Sequence, residues 1–88
     1  MWKVSYRPEL LKFIKKLDSS TRKDIQNYIK KISNTKNPQT LGKPLSGNLK
    51  GFWRYRVGDY RILCELRKKE LIILVIDIGH RSKIYRSI

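Results

Sequence analysis

The sequence predicts an α+β domain in which a hairpin of two helices packs on one face of a single sheet. Three observations predict this fold. Residues 2–6 alternate apolar and polar side chains, which is typical of a short strand. Residues 8–33 contain two segments whose apolar residues recur at helical spacing, and residues 52–78 contain three strand-like runs joined by short turns. The predicted order is an N-terminal strand, two helices and a three-stranded antiparallel meander, with residues 1–88 in one domain.

The two predicted helices each carry one apolar face. Pro8 suits the first turn of the first helix, because the N–H that proline lacks has no partner there. The apolar residues recur at i, i+3, i+4 and i+7, and they are Leu10, Phe13, Ile14 and Leu17, then Ile25, Tyr28, Ile29 and Ile32. The polar run Asp18–Thr21 separates the helices and offers N-caps for the second helix.

The second half of the chain carries the strand signals. Asn34 to Gly51 is rich in Asn, Pro, Gly and Ser, which predicts a loop. The predicted strands are Phe52–Val57, Tyr60–Leu66 and Leu71–Ile78. Glycine at the first position of the two-residue turn Gly58-Asp59 is typical of a type II′ hairpin. The third strand is apolar on both faces, so we expect it between the second meander strand and the N-terminal strand.

Net charge is the most extreme feature of the composition. Lys and Arg total 21 against 7 acidic residues, which gives a net charge of +14 and a pI near 10.3. So much self-repulsion in a small domain destabilises the compact state unless an anion offsets it. Nucleic acid is the commonest polyanionic partner, and an acidic protein is the alternative. An anionic membrane surface fits less well, because neither helix opposes a wide apolar face to a purely basic one.

Other features exclude several classes of protein. No apolar run approaches the ~18 residues of a membrane span. The N-terminus lacks the apolar core of a signal peptide, so we expect a cytoplasmic protein. Cys64 lies in an apolar strand pattern and is expected to be a buried hydrophobe. One Cys and one His cannot form a zinc site, and the lack of a carboxylate cluster argues against a metal-dependent nuclease. No cofactor is expected.

The predicted hairpin fixes which residues share a face of the sheet. On one face the pairs are apolar: Val57 with Tyr60, Tyr55 with Ile62, and Trp53 with Cys64. On the other face the pairs are Arg56 with Arg61, Arg54 with Leu63, and Phe52 with Glu65. Like charges directly opposite each other destabilise a strand pair, so this patch favours a functional role. The choice of Arg over Lys favours bidentate phosphate binding, and the alternative is a solvated basic face.

Polarity changes abruptly after the third predicted strand. Gly79 permits a sharp bend or the close approach of a ligand there. His80 follows it, and a structural role and a proton-transfer role are both open for this residue. Tyr85 lies in an arginine-rich segment, where packing, base stacking and proton transfer are the alternatives.

Three segments resemble the RelE/ParE toxin superfamily, and its RelE-like branch in particular. They are Leu45-Ser46-Gly47, the run from Trp53 to Arg61, and Gly79-His80-Arg81 followed by Tyr85. The resemblance extends over nearly the whole chain, and the middle segment is its most specific part. It implies one RelE-like toxin domain over residues 1–88.

The resemblance implies the toxin of a type II toxin–antitoxin system, a metal-independent endoribonuclease that enters the ribosomal A site and cuts mRNA. The residues expected to be catalytic are Arg54, Arg56, Arg61, His80, Arg81 and Tyr85. The residues expected to contact RNA are Lys50, Arg54, Arg56, Lys83 and Arg86. The implied partners are an acidic RelB-like antitoxin, the ribosome with its mRNA, and operator DNA only through the antitoxin complex.

The residue types fit this chemistry independently of the resemblance. RNA cleaves itself when a 2′-OH attacks the adjacent phosphate, so an enzyme mainly orients that attack and stabilises the developing charge. Arg61 and Arg81 suit stabilisation of the transition state, and the two arginines of the first meander strand suit clamping of the phosphate. Because arginine stays protonated and is a poor base, proton transfer is expected from His80 or Tyr85.

Two alternatives remain at the level of sequence. One is a ParE-like toxin, from the branch that poisons DNA gyrase and has no nuclease activity. The other is a non-enzymatic nucleic-acid-binding module, which explains the charge but not the pairing of arginine with arginine in the hairpin.

Overall fold

The computed structural model describes residues 1–80. The predicted elements follow one another in the predicted order, and a fifth, short strand lies in the segment predicted to be a loop. The helices are α1 (Pro8–Lys16) and α2 (Ser19–Ser33), and the strands are β1 (Lys3–Tyr6), β2 (Lys43–Pro44), β3 (Phe52–Val57), β4 (Tyr60–Arg67) and β5 (Ile72–His80). The predicted α+β architecture, with the helices on one face of a single sheet, is confirmed.

Local sequence explains where the helices begin. Pro8 occupies the first turn of α1, where its missing N–H leaves no hydrogen bond unmade. Asp18 is the N-cap of α2, and its carboxylate accepts a hydrogen bond from the Thr21 N–H at 3.2 Å. This bond lowers the pKa of Asp18 below its ordinary value. In the part of the chain that the structure describes, neither helix is long and apolar enough to cross a membrane.

The sheet has the strand order β1-β5-β4-β3-β2. β1 runs parallel to β5, whereas the other neighbouring strands pair antiparallel, so the sheet is mixed. β5 lies between β1 and β4, which confirms the position predicted from its two apolar faces.

The helices cover one face of the sheet, which we call the inner face. The helical residues buried there are Leu10 and Ile14 from α1, and Ile25, Ile29 and Ile32 from α2. The sheet residues buried against them include Tyr55, Ile62, Cys64, Ile73 and Val75. The apolar face predicted from the hairpin is therefore the core face.

The β3–β4 hairpin has the predicted register at all six pairs, from Phe52 with Glu65 to Val57 with Tyr60. Gly58 has a φ of 57°, and Asp59 is not among the positive-φ residues of the described chain. A positive φ at the first turn residue alone is the geometry of a type II′ turn, so the turn chemistry sets the register as expected.

β5 continues further than the sequence predicts. Gly79 pairs with Arg61 and His80 pairs with Tyr60, so the expected bend at Gly79 is wrong. Glycine weakens a strand but does not end it, and here the strand is held by its ladder with β4.

A β-bulge in β5 changes which residues face the helices. Cys64 pairs with Val75 but Leu63 pairs with Asp77, so Ile76 is the extra residue. The bulge turns Ile78 to the inner face, where it is buried, and Asp77 to the opposite face. Without the extra residue, a carboxylate would occupy the core position that Ile78 fills, which is costly for an unpaired charge.

The predicted loop from Asn34 to Gly51 is not wholly irregular. Its residues Lys43 and Pro44 form β2, which pairs with Arg54 and Trp53 of β3. Proline is tolerated because β2 is an edge strand. A two-residue strand leaves no periodicity in the sequence, since its pairing is dictated by the neighbouring strand.

Candidate nucleic-acid interface

Three arginines lie together on the outer face of the sheet, opposite the helices. Arg54, Arg56 and Arg61 form this arginine patch, and Arg56 pairs directly with Arg61 across β3 and β4. The side chains of directly paired residues start about 4.5–5.5 Å apart, so the two guanidinium groups repel each other. The like-charge pair predicted from the sequence is therefore present in the structure.

Arg61 differs from the other two arginines of the patch in having an unsatisfied polar atom. Its Nε atom is buried and has no hydrogen-bond partner among the residues that the structure describes. A buried donor without an acceptor costs about 1–3 kcal/mol. An unsatisfied polar group inside a like-charge pair is a local conflict of the kind expected at functional sites. Arg54 is also half-buried, whereas Arg56 is exposed.

The outer face also contains residues that the sequence reasoning missed. Lys43 pairs with Arg54 across β2 and β3, which adds a fourth cation beside the arginine patch. Asp77 reaches the same face through the bulge, where it pairs with Leu63, two pairs along β5 from Gly79, the partner of Arg61. Asp77 also accepts a hydrogen bond from the Ile78 N–H at 2.9 Å. The signal for Asp77 was a carboxylate directly after the continuously apolar run Leu71–Ile76, which does not show the face that Asp77 takes, whereas nothing in the sequence marked Lys43 as a strand residue.

His80 does not join the arginine patch. It pairs with Tyr60, whose side chain is partly buried against the core, and the two rings meet edge to face with their centroids 5.9 Å apart. Paired residues share a face of the sheet, so His80 lies on the inner side at the end of β5. The bulge is the physical reason, because it reverses the facing of every residue after Ile76.

Lys50 is the remaining predicted site residue within the part of the chain that the structure describes. Lys50 is exposed and lies two residues before β3, at the end of a 3₁₀ turn spanning Gly47–Leu49. Arg81, Lys83, Tyr85 and Arg86 lie outside the described residues.

The inner face behind the arginine patch is closely packed, and its buried polar group at Tyr55 is hydrogen-bonded. The Tyr55 hydroxyl donates a hydrogen bond to the Pro38 carbonyl at 2.9 Å, and burial raises the pKa of this phenol. Burial also raises the pKa of the Cys64 thiol, whose side chain is fully buried. The expectation that Cys64 is a buried hydrophobe is confirmed.

Within residues 1–80, no cluster of His, Cys, Asp or Glu has the three members needed to hold a metal ion.

Taken by geometry, the molecule is a small basic α+β protein with a helical hairpin on one face of its sheet and clustered cations on the other. Among solved structures, the toxin–antitoxin complex RelBE2 from Mycobacterium tuberculosis matches it with a TM-score of 0.79. The match covers 91% of this chain and 98% of that chain, at 21% sequence identity. At this identity the likeness establishes the fold, which is that of the RelE-type toxins.

Sequence comparison gives the family. The family model for the ParE toxin of the type II toxin–antitoxin system parDE matches residues 4–85. Toxin RelG of Mycobacterium tuberculosis is 33% identical over 52 residues, which are 59% of this chain and 60% of that toxin. Toxin RelE of the same organism is 40% identical over 50 residues, 57% of this chain and 52% of that toxin. The matches thus span little more than half the length of these curated relatives. The chain belongs to the RelE/ParE family of type II toxin–antitoxin toxins.

Proposed function

We propose that this protein is a ribosome-dependent endoribonuclease that cleaves mRNA in the A site without a metal ion. The observation that carries the proposal is the arginine patch, in which Arg56 faces Arg61 across the hairpin. Repelling cations on one face favour an anionic ligand, and planar guanidinium groups match phosphate geometry better than lysine does. Membership of the RelE/ParE family supports a toxin as the setting for this chemistry.

The proposed reaction is an intramolecular phosphoryl transfer within the RNA. The 2′-oxygen loses its proton and bonds to phosphorus, while the bond from phosphorus to the 5′-oxygen breaks and that oxygen is protonated. The products are a 2′,3′-cyclic phosphate and a 5′-hydroxyl end. Arg54 and Arg56 hold the phosphate in line for attack, and Arg61 and Arg81 stabilise the extra negative charge of the transition state.

We assign removal of the 2′-proton to Tyr85 rather than to His80. The pairing of His80 with Tyr60 on the inner side counts against the histidine, and the assignment of Tyr85 comes from the family motif. A phenol acts as a base when neighbouring cations favour its ionised form. Lys50, Lys83 and Arg86 are proposed to contact the RNA backbone on either side, where they affect affinity more than rate.

The proposed restraining partner is an acidic RelB-like antitoxin. A net charge of +14 steers an acidic partner toward the toxin in a salt-sensitive encounter. The antitoxin is proposed to cover the arginine patch, and the toxin to reach operator DNA only as part of that complex. We propose that mRNA cleavage and antitoxin binding both take place in the cytoplasm, where ribosomes translate.

The test is induction of the toxin without an antitoxin, followed by mapping of mRNA 5′ ends. We expect growth arrest, a halt in translation, and new 5′ ends phased to codons, and an Arg61→Ala variant should produce none of these. The second candidate is a ParE-like poison of DNA gyrase, which the description of the matching family favours. Continued translation with a collapse of DNA supercoiling would establish that candidate instead.

A further inference from the structure

A cavity of 330 Å³ opens at the edge of the sheet beside the arginine patch. It lies where α2, the loop before β2 and strand β3 meet, and the residues lining it include Tyr28, Thr40, Gly42, Lys43, Arg54 and Arg56. Its volume is at the lower end of the ~300–1,000 Å³ typical of small-molecule sites. The cavity therefore has room for a ligand about the size of a single nucleotide.

Two tyrosines and one glycine fix the wall of this cavity. The Tyr28 hydroxyl donates a hydrogen bond to the Leu41 carbonyl at 3.3 Å, and the Tyr55 hydroxyl donates to the Pro38 carbonyl at 2.9 Å. These bonds tie the loop to the helix and to the sheet. A Cβ atom on Gly42 would lie 2.7 Å from Cε1 of Tyr55, so only glycine allows this approach. The cavity is thus preorganised, which lowers the entropic cost of binding.

The chemistry of the lining matches a phosphate joined to an aromatic base. Lys43, Arg54 and Arg56 supply positive charge, and no described residue of the lining is acidic. Tyr28 supplies a half-buried aromatic ring, with the Nζ atom of Lys31 5.8 Å from its centroid. Combined positive charge and aromatic rings are how proteins hold single-stranded nucleic acid, since every base can pack on a ring.

We propose that this edge cavity binds one nucleotide of single-stranded RNA next to the scissile phosphate. Lys43 holds its phosphate, and Tyr28 packs against its base. The cavity shares Arg54 and Arg56 with the arginine patch, so a strand lying across the patch continues directly into it. The proposal rests on the proposed function for its choice of RNA, but the two residues that it assigns to this nucleotide, Lys43 and Tyr28, have no part in the cleavage chemistry.

Titration with AMP, followed by NMR chemical shifts of the intact toxin, tests the site without any cleavage. We expect AMP to shift the amides of residues 40–43 and Tyr28 and to bind more tightly than inorganic phosphate. Lys43→Gln should weaken AMP binding at least about tenfold through loss of a charge-assisted contact. Lys69→Gln, the same change at an exposed lysine of the β4–β5 turn, should leave it unchanged.

Three outcomes of this titration would overturn the proposal. If inorganic phosphate binds as tightly as AMP, the base makes no contact. If AMP leaves the amides of residues 40–43 and Tyr28 unshifted, the cavity holds no nucleotide. Equal weakening by the two lysine variants would mean that only net charge matters.

A photo-crosslinking experiment separates this proposal from the proposed function. An RNA carrying 5-iodouridine next to the cleavage position should crosslink to Tyr28, whether or not the RNA is cut. Crosslinking without cleavage on ribosomes would support the site and contradict the nuclease assignment. Cleavage with no crosslink at Tyr28, and with an unaltered KM in Lys43→Gln, would support the nuclease and overturn the site.

Discussion

Ile62 and Arg61 are neighbours on β4, yet they face opposite sides of the sheet and differ in burial and in the residues that surround them. Ile62 is fully buried on the inner face, paired with Tyr55 and Ile78 in the core. Arg61 lies on the outer face opposite Arg56, with a buried Nε that lacks a partner among the described residues. The inner face around Ile62 is packed as a core, whereas the outer face around Arg61 carries a like-charge pair and a buried donor without an acceptor among the described residues. The buried cluster shared by the helices and the sheet lies on the inner face, and the arginine patch retains an arrangement that suits an anionic ligand.

The largest expected effect on stability is at the inner face. Ile62→Ala removes a fully buried side chain and should lower the free energy of unfolding by about 2–5 kcal/mol. Urea denaturation measures this loss, and the still-folded fraction should bind RNA normally. Leu11→Ala, a control at an exposed apolar position on α1, should change stability by less than about 0.5 kcal/mol. Similar losses in the two variants would contradict the assignment of the core to the inner face.

A smaller effect of opposite sign is expected on the outer face. Arg56→Gln removes one member of the like-charge pair with Arg61 and should raise the free energy of unfolding by about 0.2–1 kcal/mol. The matched control is Arg67→Gln on β4, because Arg67 forms an ion pair with Glu65 at 3.2 Å. That variant should be neutral or slightly less stable. Destabilisation by Arg56→Gln in low-salt urea titrations would show that the arginine patch is not strained.

The two faces also differ in how far the sequence predicts them. The hairpin was predictable pair by pair, because Gly58 sets the turn type and alternation then sorts every residue from Phe52 to Glu65. In β5 the prediction was wrong at Gly79 and did not anticipate which face His80 takes. The reason is the bulge at Ile76, which places Ile78 rather than Asp77 in the core. The segment Leu71–Ile76 is apolar at every position. It therefore shows no alternation of apolar and polar residues from which the extra residue could be inferred.

The edge cavity could not be predicted for a related reason. Lys43 comes beside Arg54 through a strand of only two residues, and Tyr28 reaches the cavity from a helix far away in sequence. Helical spacing assigned Tyr28 to the core, and its ring does pack against Tyr55 with centroids 6.4 Å apart. Only the tertiary fold shows that the same ring also lines a basic cavity.

The most direct test of the account compares the arginine patch with the basic surface of the helices. Arg61→Ala should lower the single-turnover rate of mRNA cleavage on ribosomes about 100- to 1,000-fold, equivalent to ~2.7–4 kcal/mol of transition-state stabilisation. Its affinity for RNA should fall far less, because the lost interaction acts mainly in the transition state. Lys30→Ala, at an exposed lysine of α2, should slightly reduce the salt dependence of binding and leave the rate nearly unchanged. If both variants lose activity equally, and only through weaker binding at matched salt, the arginine patch is a docking surface and not a catalytic one.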